Sequence, residues 1–144
     1  MAHSVSTNSR LSPWTSRRAS VGSARLRLLV VDDNPNSAYA LVAYLSLEDI
    51  ECTVAFGGKE AVVSAMTYDP HVVLMDISMP ECNGYEAARA LRHHPKTRNV
   101  VIVAHTALDE REVRGQQNDD EFDGYLQKGD SPRRVVAMLN MLAQ

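Results

Sequence analysis

Three aspartates, a threonine and a lysine hold the chemical potential of this sequence. Asp32 and Asp33 follow directly on the apolar run Leu28-Leu29-Val30-Val31, Asp76 ends the run in "VVLMDISMP", Thr106-Ala107 closes "VIVAHTA", and Lys128 closes "GYLQK". Carboxylates gathered in one cleft repel each other by roughly 4 kcal/mol per close pair at an effective dielectric near 20, so such a group needs positive charge. An all-oxygen donor set with few protein ligands suits Mg²⁺, which keeps several waters and works with one or two carboxylates beside a phosphoryl group. A lysine and a hydroxyl facing the same point would take the remaining phosphoryl oxygens. One carboxylate is then left to act as nucleophile, as in aspartyl-phosphate chemistry. Taken singly, each residue has a plainer role: Asp33 and Asp76 as helix or turn caps, Thr106 as a strand end, Lys128 as surface charge. Their joint placement at the ends of four different strands argues against four separate coincidences.

The elements that must position them alternate in period. Short β-branched runs at Leu28–Val31, Cys52–Ala55, Val72–Met75, Val100–Val103 and Gly124–Leu126 are separated by segments of helical period at Asn36–Leu47, Lys59–Met66, Tyr85–His93, Glu110–Gln117 and Pro132–Leu142. Five strands alternating with five helices predict an α/β fold, a doubly wound parallel sheet covered on both faces. In such sheets, sites form outside the carboxyl ends of the strands, which is where the five residues fall. Ser131-Pro132 reads as an N-cap followed by a first-turn proline.

With 144 residues, 44% hydrophobic and 23% charged, the chain has the makeup of one ordinary globular domain. The net charge of -3 conceals an asymmetry: residues 1–24 carry Arg10, Arg17 and Arg18 and no acid, leaving 12 basic and 18 acidic groups for the rest. A domain that acidic is a poor candidate for nucleic-acid binding. Cys52 and Cys82 have no Cys-x-x-Cys or zinc-ligand spacing, so a reducing, cytoplasmic setting fits. No stretch of about 18 apolar residues is present to span a bilayer. Residues 1–24, rich in Ser and Arg, read as a flexible arm ahead of a domain over residues 25–144. The rival reading of the arm, an organelle-targeting leader, lacks an amphipathic stripe. Trp14 is the exception in this polar segment, an aromatic able to anchor the arm on the domain or on a partner.

From about Arg27 to Leu142 the chain resembles the receiver domains of two-component response regulators. The resemblance is carried by "VVDDN", by "LMDISMPECNGYEA" with Asp76, Met79-Pro80 and Gly84, by "VIVAHTA" and by "DGYLQK". Asp33, Asp76, Thr106 and Lys128 also stand at the family's usual separations of 43, 30 and 22 residues. The resemblance implies a flavodoxin-like (β/α)5 fold with strand order 2-1-3-4-5 and Asp76 as phosphoacceptor. It also implies Mg²⁺ held by Asp32, Asp33, Asp76 and the backbone carbonyl of Ser78. Thr106, Ala107 and Lys128 would contact the phosphoryl group, and Tyr125 would be an aromatic switch that turns inward when Thr106 moves. The implied partner is a histidine kinase or a histidine phosphotransfer protein in a phosphorelay. The implied protein is no enzyme beyond its own phosphorylation and dephosphorylation, and a monomer or weak homodimer. Because no output domain follows the last helix, a single-domain receiver is expected; a receiver excised from a hybrid kinase would look the same.

Several positions depart from the family pattern. Asn83 stands where Asp is usual before Gly84, Glu121 where a glycine commonly ends the fourth helix, and Gly129 where a proline usually follows the lysine. A trans Lys128–Gly129 bond is predicted, with glycine's wide φ range absorbing the altered path. The fourth helix, with Gly115 in its middle and Val113 as its main apolar residue, is predicted to be short or frayed. Three other functions fit the sequence less well. A flavodoxin-like electron carrier would want Ser, Thr and Gly rather than Asp32-Asp33 in its first turn. An aspartyl phosphatase would want an acid where Ser78 stands. A non-phosphorylated, receiver-like binding module would keep the fold but not need the full set of acids, Thr106 and Lys128. His93-His94 have no matching ligands, a pH-sensing role for His105 beside Thr106 has no support in the sequence, and inert packing is the plainer role for Cys82.

Overall fold

In a computed structural model, residues 11–118 and 120–144 are described. Five strands, β1 (Arg27–Val31), β2 (Glu51–Ala55), β3 (Val72–Met75), β4 (Val101–Thr106) and β5 (Gly124–Gln127), form one parallel sheet in the order β2-β1-β3-β4-β5. They alternate with α1 (Pro35–Ser46), α2 (Gly58–Tyr68), α3 (Gly84–Arg92), α4 (Glu110–Gln116) and α5 (Arg133–Leu142). The sheet thus has the strand order and the five helices of the flavodoxin-like receiver fold.

Alternation along the strands divides the core in two. Leu29, Val31, Val73, Met75, Ile102 and Ala104 face one side, where α2 contributes Ala61 and Ala65, α3 contributes Ala87, Ala88 and Leu91, and α4 contributes Val113. Leu28, Val30, Val72, Leu74, Val101 and Val103 face the other, against Ala38 and Leu45 of α1 and Val135, Met138, Leu139 and Leu142 of α5. With both faces covered, the central strands are apolar at nearly every position, which is why their runs read so clearly in the sequence.

Most expected boundaries hold to within one or two residues; three differences are informative. β4 runs on to Thr106 rather than stopping at Val103, because His105 and Thr106 continue the ladder with Leu126 and Gln127 of β5. The last helix begins at Arg133, so Pro132 occupies the cap position instead of the first helical one, and Ser131 Oγ accepts from the Arg133 N–H at 3.3 Å. The arm is the third. Residues 1–10 lie outside the described residues, but residues 11–24 are docked rather than free. Ala19 is buried and pairs in parallel fashion with Ala143 just beyond α5, donating to Leu142 O at 2.8 Å and accepting from Gln144 N at 2.7 Å. The physical reason is Asp123, a fully buried carboxylate that Arg17 and Thr15 help to satisfy. The expected boundary between residues 24 and 25 is therefore not a break in packing.

Candidate functional site

β1 and β3 lie side by side, and parallel pairing in register brings the residues after Val31 and Met75 together. Asp76 N–H donates to Val31 O at 3.0 Å, and Asp32 N–H donates to Ala55 O at 3.0 Å, so the sheet ladder extends into both aspartates. One carboxylate oxygen from each of Asp32, Asp33 and Asp76 falls within 4.8 Å of the others. Asp32 and Asp76 are each 4% exposed, whereas Asp33 opens to solvent. Asp32 Oδ1 also accepts from the Asn34 N–H at 2.9 Å, and Asn34 caps α1, so the second aspartate, not the first, is left outward.

Lys128 reaches this group from β5, its Nζ 2.9 Å from Asp32 Oδ2 and 3.0 Å from Asp76 Oδ2. Its backbone N–H is tied to Thr106 O at 2.9 Å. The Lys128–Gly129 bond is trans, as expected, and Gly129 takes φ +95°, a left-handed conformation that proline could not adopt. Burial works against the lysine's charge, but its bonds to Asp32 and Asp76 outweigh it and hold its pKa above the usual value. Burial, with Asp32 beside it, raises the carboxyl of Asp76 above the ordinary carboxylate range in spite of Lys128. Loss of hydration thus outweighs even a lysine at 3.0 Å, so the charged form of Asp76 is held in the cleft at a cost. The donor set is hard, all-oxygen, crowded and partly open, and those properties fit Mg²⁺.

Thr106 is 1% exposed at the end of β4, and its Oγ1 accepts from Leu108 N–H at 3.2 Å; Ala107 between them is exposed. Tyr125 on β5 donates its hydroxyl to Leu108 O, so the threonine and the tyrosine meet on one loop residue. Ser78 is exposed two residues beyond Asp76, in a loop folded back by bonds from Met79 N–H and Gly84 N–H to Ile77 O.

Gly84 explains itself here. A Cβ added to it would lie 2.3 Å from Asp76 O and 2.7 Å from Ile77 Cα, so α3 can begin against the Asp76 backbone only with glycine. Asn83, in place of the usual acid, caps α3 in a reciprocal pair of bonds with Glu86, both 2.9 Å. Glu121 is 6% exposed, meeting Arg89 at 3.2 Å and accepting from Asn118 N–H at 3.2 Å. Its carboxylate thus engages the chain just after α4, where the glycine was absent.

Sequence reasoning brought every one of the acids, Thr106 and Lys128 to one end of the sheet. It missed Asp123. This residue is 0% exposed, and its carboxylate takes Arg92 at 2.9 Å, Arg17, Thr15 and the Ile102 N–H at 2.8 Å. It also missed the extent of the role of Trp14, whose ring stacks on Tyr125 with centroids 6.1 Å apart and planes 2° from parallel.

Comparison with known proteins agrees with the geometry. The family model described as "Response regulator receiver domain" matches residues 28–140. The response regulator PleD of Caulobacter vibrioides is 35% identical over 102 residues, 71% of this chain but 22% of PleD. Protein PilH of Pseudomonas aeruginosa is 37% identical over 84 residues, 58% of this chain and 69% of PilH. Among solved structures, the receiver domain of the Pseudomonas aeruginosa sensor histidine kinase PA1611, described with a magnesium ion coordinated in its active-site cleft, is 30% identical with a TM-score of 0.70, covering 83% of this chain and 98% of that one. The chain therefore spans about a fifth of PleD and about two thirds of PilH.

Proposed function

Starting from the membership of this chain in the response regulator receiver domain family, we propose that it accepts a phosphoryl group on Asp76 from a histidine kinase or a histidine phosphotransfer protein, in a cytoplasmic phosphorelay. The observation that carries the reading is the buried Asp76 carboxylate, held at 3.0 Å by Lys128 and within 4.8 Å of two further acids. Asp32, Asp33 and Asp76, with the backbone carbonyl of Ser78, would hold Mg²⁺, which when bound offsets the charge of the acids and of the incoming phosphoryl oxygens.

The chain's own groups perform the transfer by position. A carboxylate oxygen of Asp76 forms the new bond to phosphorus as the bond to the donor imidazole nitrogen breaks. The imidazole leaves with the electron pair and takes a proton from solvent. Lys128, already at Asp76, supplies a fixed positive charge to the transferred oxygens, and the Thr106 hydroxyl, with the backbone at Ala107, supplies donors from β4. No external substrate is turned over in this reading; the only reactions catalysed are phosphorylation and hydrolysis at Asp76. The presence of the complete set favours it over a non-phosphorylated binding module. No helix among the described residues is long and apolar enough to cross a membrane.

Acetyl phosphate with Mg²⁺ should add one phosphoryl group by intact mass, and the Asp76→Asn variant should add none. Equal labelling of the variant would remove Asp76 from the role of nucleophile.

A further inference from the structure

Trp14 is the only tryptophan of the chain, and it lies over the face made by α4 and β5. Its ring stacks on Tyr125, its Nε1–H donates to Glu110 Oε2 at 3.0 Å, and its backbone N–H donates to Asp123 O at 2.8 Å. Arg114, one turn after Glu110, sits over the indole at 4.3 Å from the ring centroid. Three residues on, Arg17 reaches the buried Asp123 carboxylate. This is a seat built for an indole followed by a guanidinium, and a segment of this same chain fills it.

The seat is joined to the acidic site through one loop residue. Thr106 Oγ1 accepts from Leu108 N–H, Leu108 O accepts from the Tyr125 hydroxyl, and the Tyr125 ring carries Trp14. A phosphoryl oxygen that draws the Thr106 hydroxyl toward Asp76 takes it from Leu108, and a shifted Leu108 or Tyr125 removes the surface on which the indole lies.

We propose that the segment from Trp14 to Arg17 is a resident strap on the α4–β5 face, seated by Trp14 while Asp76 is unmodified and loosened when the site is filled. The inference rests on the proposed function and extends it from chemistry to regulation. Loosening uncovers an aromatic and acidic surface for a partner segment of the same chemistry, an aromatic ring with a basic residue close behind. Coupling of this kind is reciprocal: whatever factor the filled site takes from the strap's hold, loss of the strap adds to the site's affinity.

The test uses the whole chain with Mg²⁺ and beryllofluoride, a stable mimic of an aspartyl phosphate, and follows two signals. A bound fluoride resonance in ¹⁹F NMR reports filling of the site; acrylamide quenching of Trp14 fluorescence reports the strap. Filling should raise the quenching constant at least twofold in the wild type. Tyr125→Phe keeps the ring but cuts the bond to Leu108, and should uncouple the two signals. Trp14→Ala should bind beryllofluoride about fivefold more tightly, the lower end of ordinary coupling. Bound fluoride with unchanged quenching, or an unchanged affinity in Trp14→Ala, would overturn the strap while leaving the proposed function intact. Absence of any bound resonance would overturn the proposed function, and the strap's regulatory role with it.

Discussion

Replacing Asp76 by Asn should raise the stability of the metal-free protein. At an effective dielectric near 20, the attraction between Asp76 and Lys128 at 3.0 Å is about 5.5 kcal/mol, and the repulsion from Asp32 at up to 4.8 Å is about 3.5 kcal/mol or more. Asp33 is exposed and adds only about 1 kcal/mol in a water-like medium. These terms nearly cancel, and Lys128 keeps Asp32 as a partner in the variant. What remains is the cost of burying a carboxylate that is 4% exposed, which a neutral amide of the same shape largely escapes. The raised pKa of Asp76 has the same sign, since a folded state that disfavours the charged form is destabilised whenever that form is present. A gain of about 1–3 kcal/mol, or roughly 3–8 °C in melting temperature, is expected at neutral pH in chelator. The gain should vanish at low pH, where wild-type Asp76 is protonated both folded and unfolded. Saturating Mg²⁺, at a hundred times its Kd, should stabilise the wild type by about 2.7 kcal/mol and the variant less. The assay is calorimetry of both proteins with and without Mg²⁺. A metal-free variant melting at or below the wild type would show that the Lys128 pairing outweighs burial, and the account of burial as the dominant cost at Asp76 would fail.

Three further outcomes follow from the geometry. Gly84→Ala should destabilise by about 1–3 kcal/mol through overpacking against the Asp76 backbone and should slow phosphorylation, whereas an unperturbed melt would remove the reason given for that glycine. Burial, with Lys128 nearby, pushes His105 down to about 4, so between there and the usual 6.5 the unfolded chain binds more protons and stability falls with falling pH. His105→Gln should flatten that slope, worth at most about 2 kcal/mol between pH 7 and pH 5, in urea titrations at those two pH values. Amide exchange should be faster in α4, seven residues long with Val113 as its one buried side chain, than in α3, which buries Gly84, Ala87, Ala88 and Leu91; equal protection would refute it.

Much of this was legible because the relevant signals are local. Strands buried on both faces appear as unbroken apolar runs, and a parallel sheet places whatever follows each run at a single end, so Asp32, Asp33, Asp76, Thr106 and Lys128 could be assembled without coordinates. The trans bond before Gly129 was legible too, since it depends on one residue type. Asp123 was not. Nothing in "DGY" distinguishes a fully buried carboxylate from a turn acid, and its cationic partners Arg92 and Arg17 are 31 and 106 residues away. The contacts of residues 11–24 were hidden for the same reason: these residues offer little to bury by themselves, and their partners lie at Asp123 and beyond α5. Trp14 was the one available signal, a large aromatic in a segment that otherwise had no use for it.

The central claim is that Asp76 carries the phosphoryl group as an acyl phosphate. Phosphorylating the full chain with acetyl phosphate and Mg²⁺, then reducing with borohydride, cleaves an aspartyl phosphate to homoserine, and peptide mass mapping finds the altered position. Homoserine at residue 76 alone, absent when acetyl phosphate is omitted, is the predicted result. Homoserine at position 32 or 33, or a phosphoryl group found on a histidine with residue 76 unchanged, would contradict it.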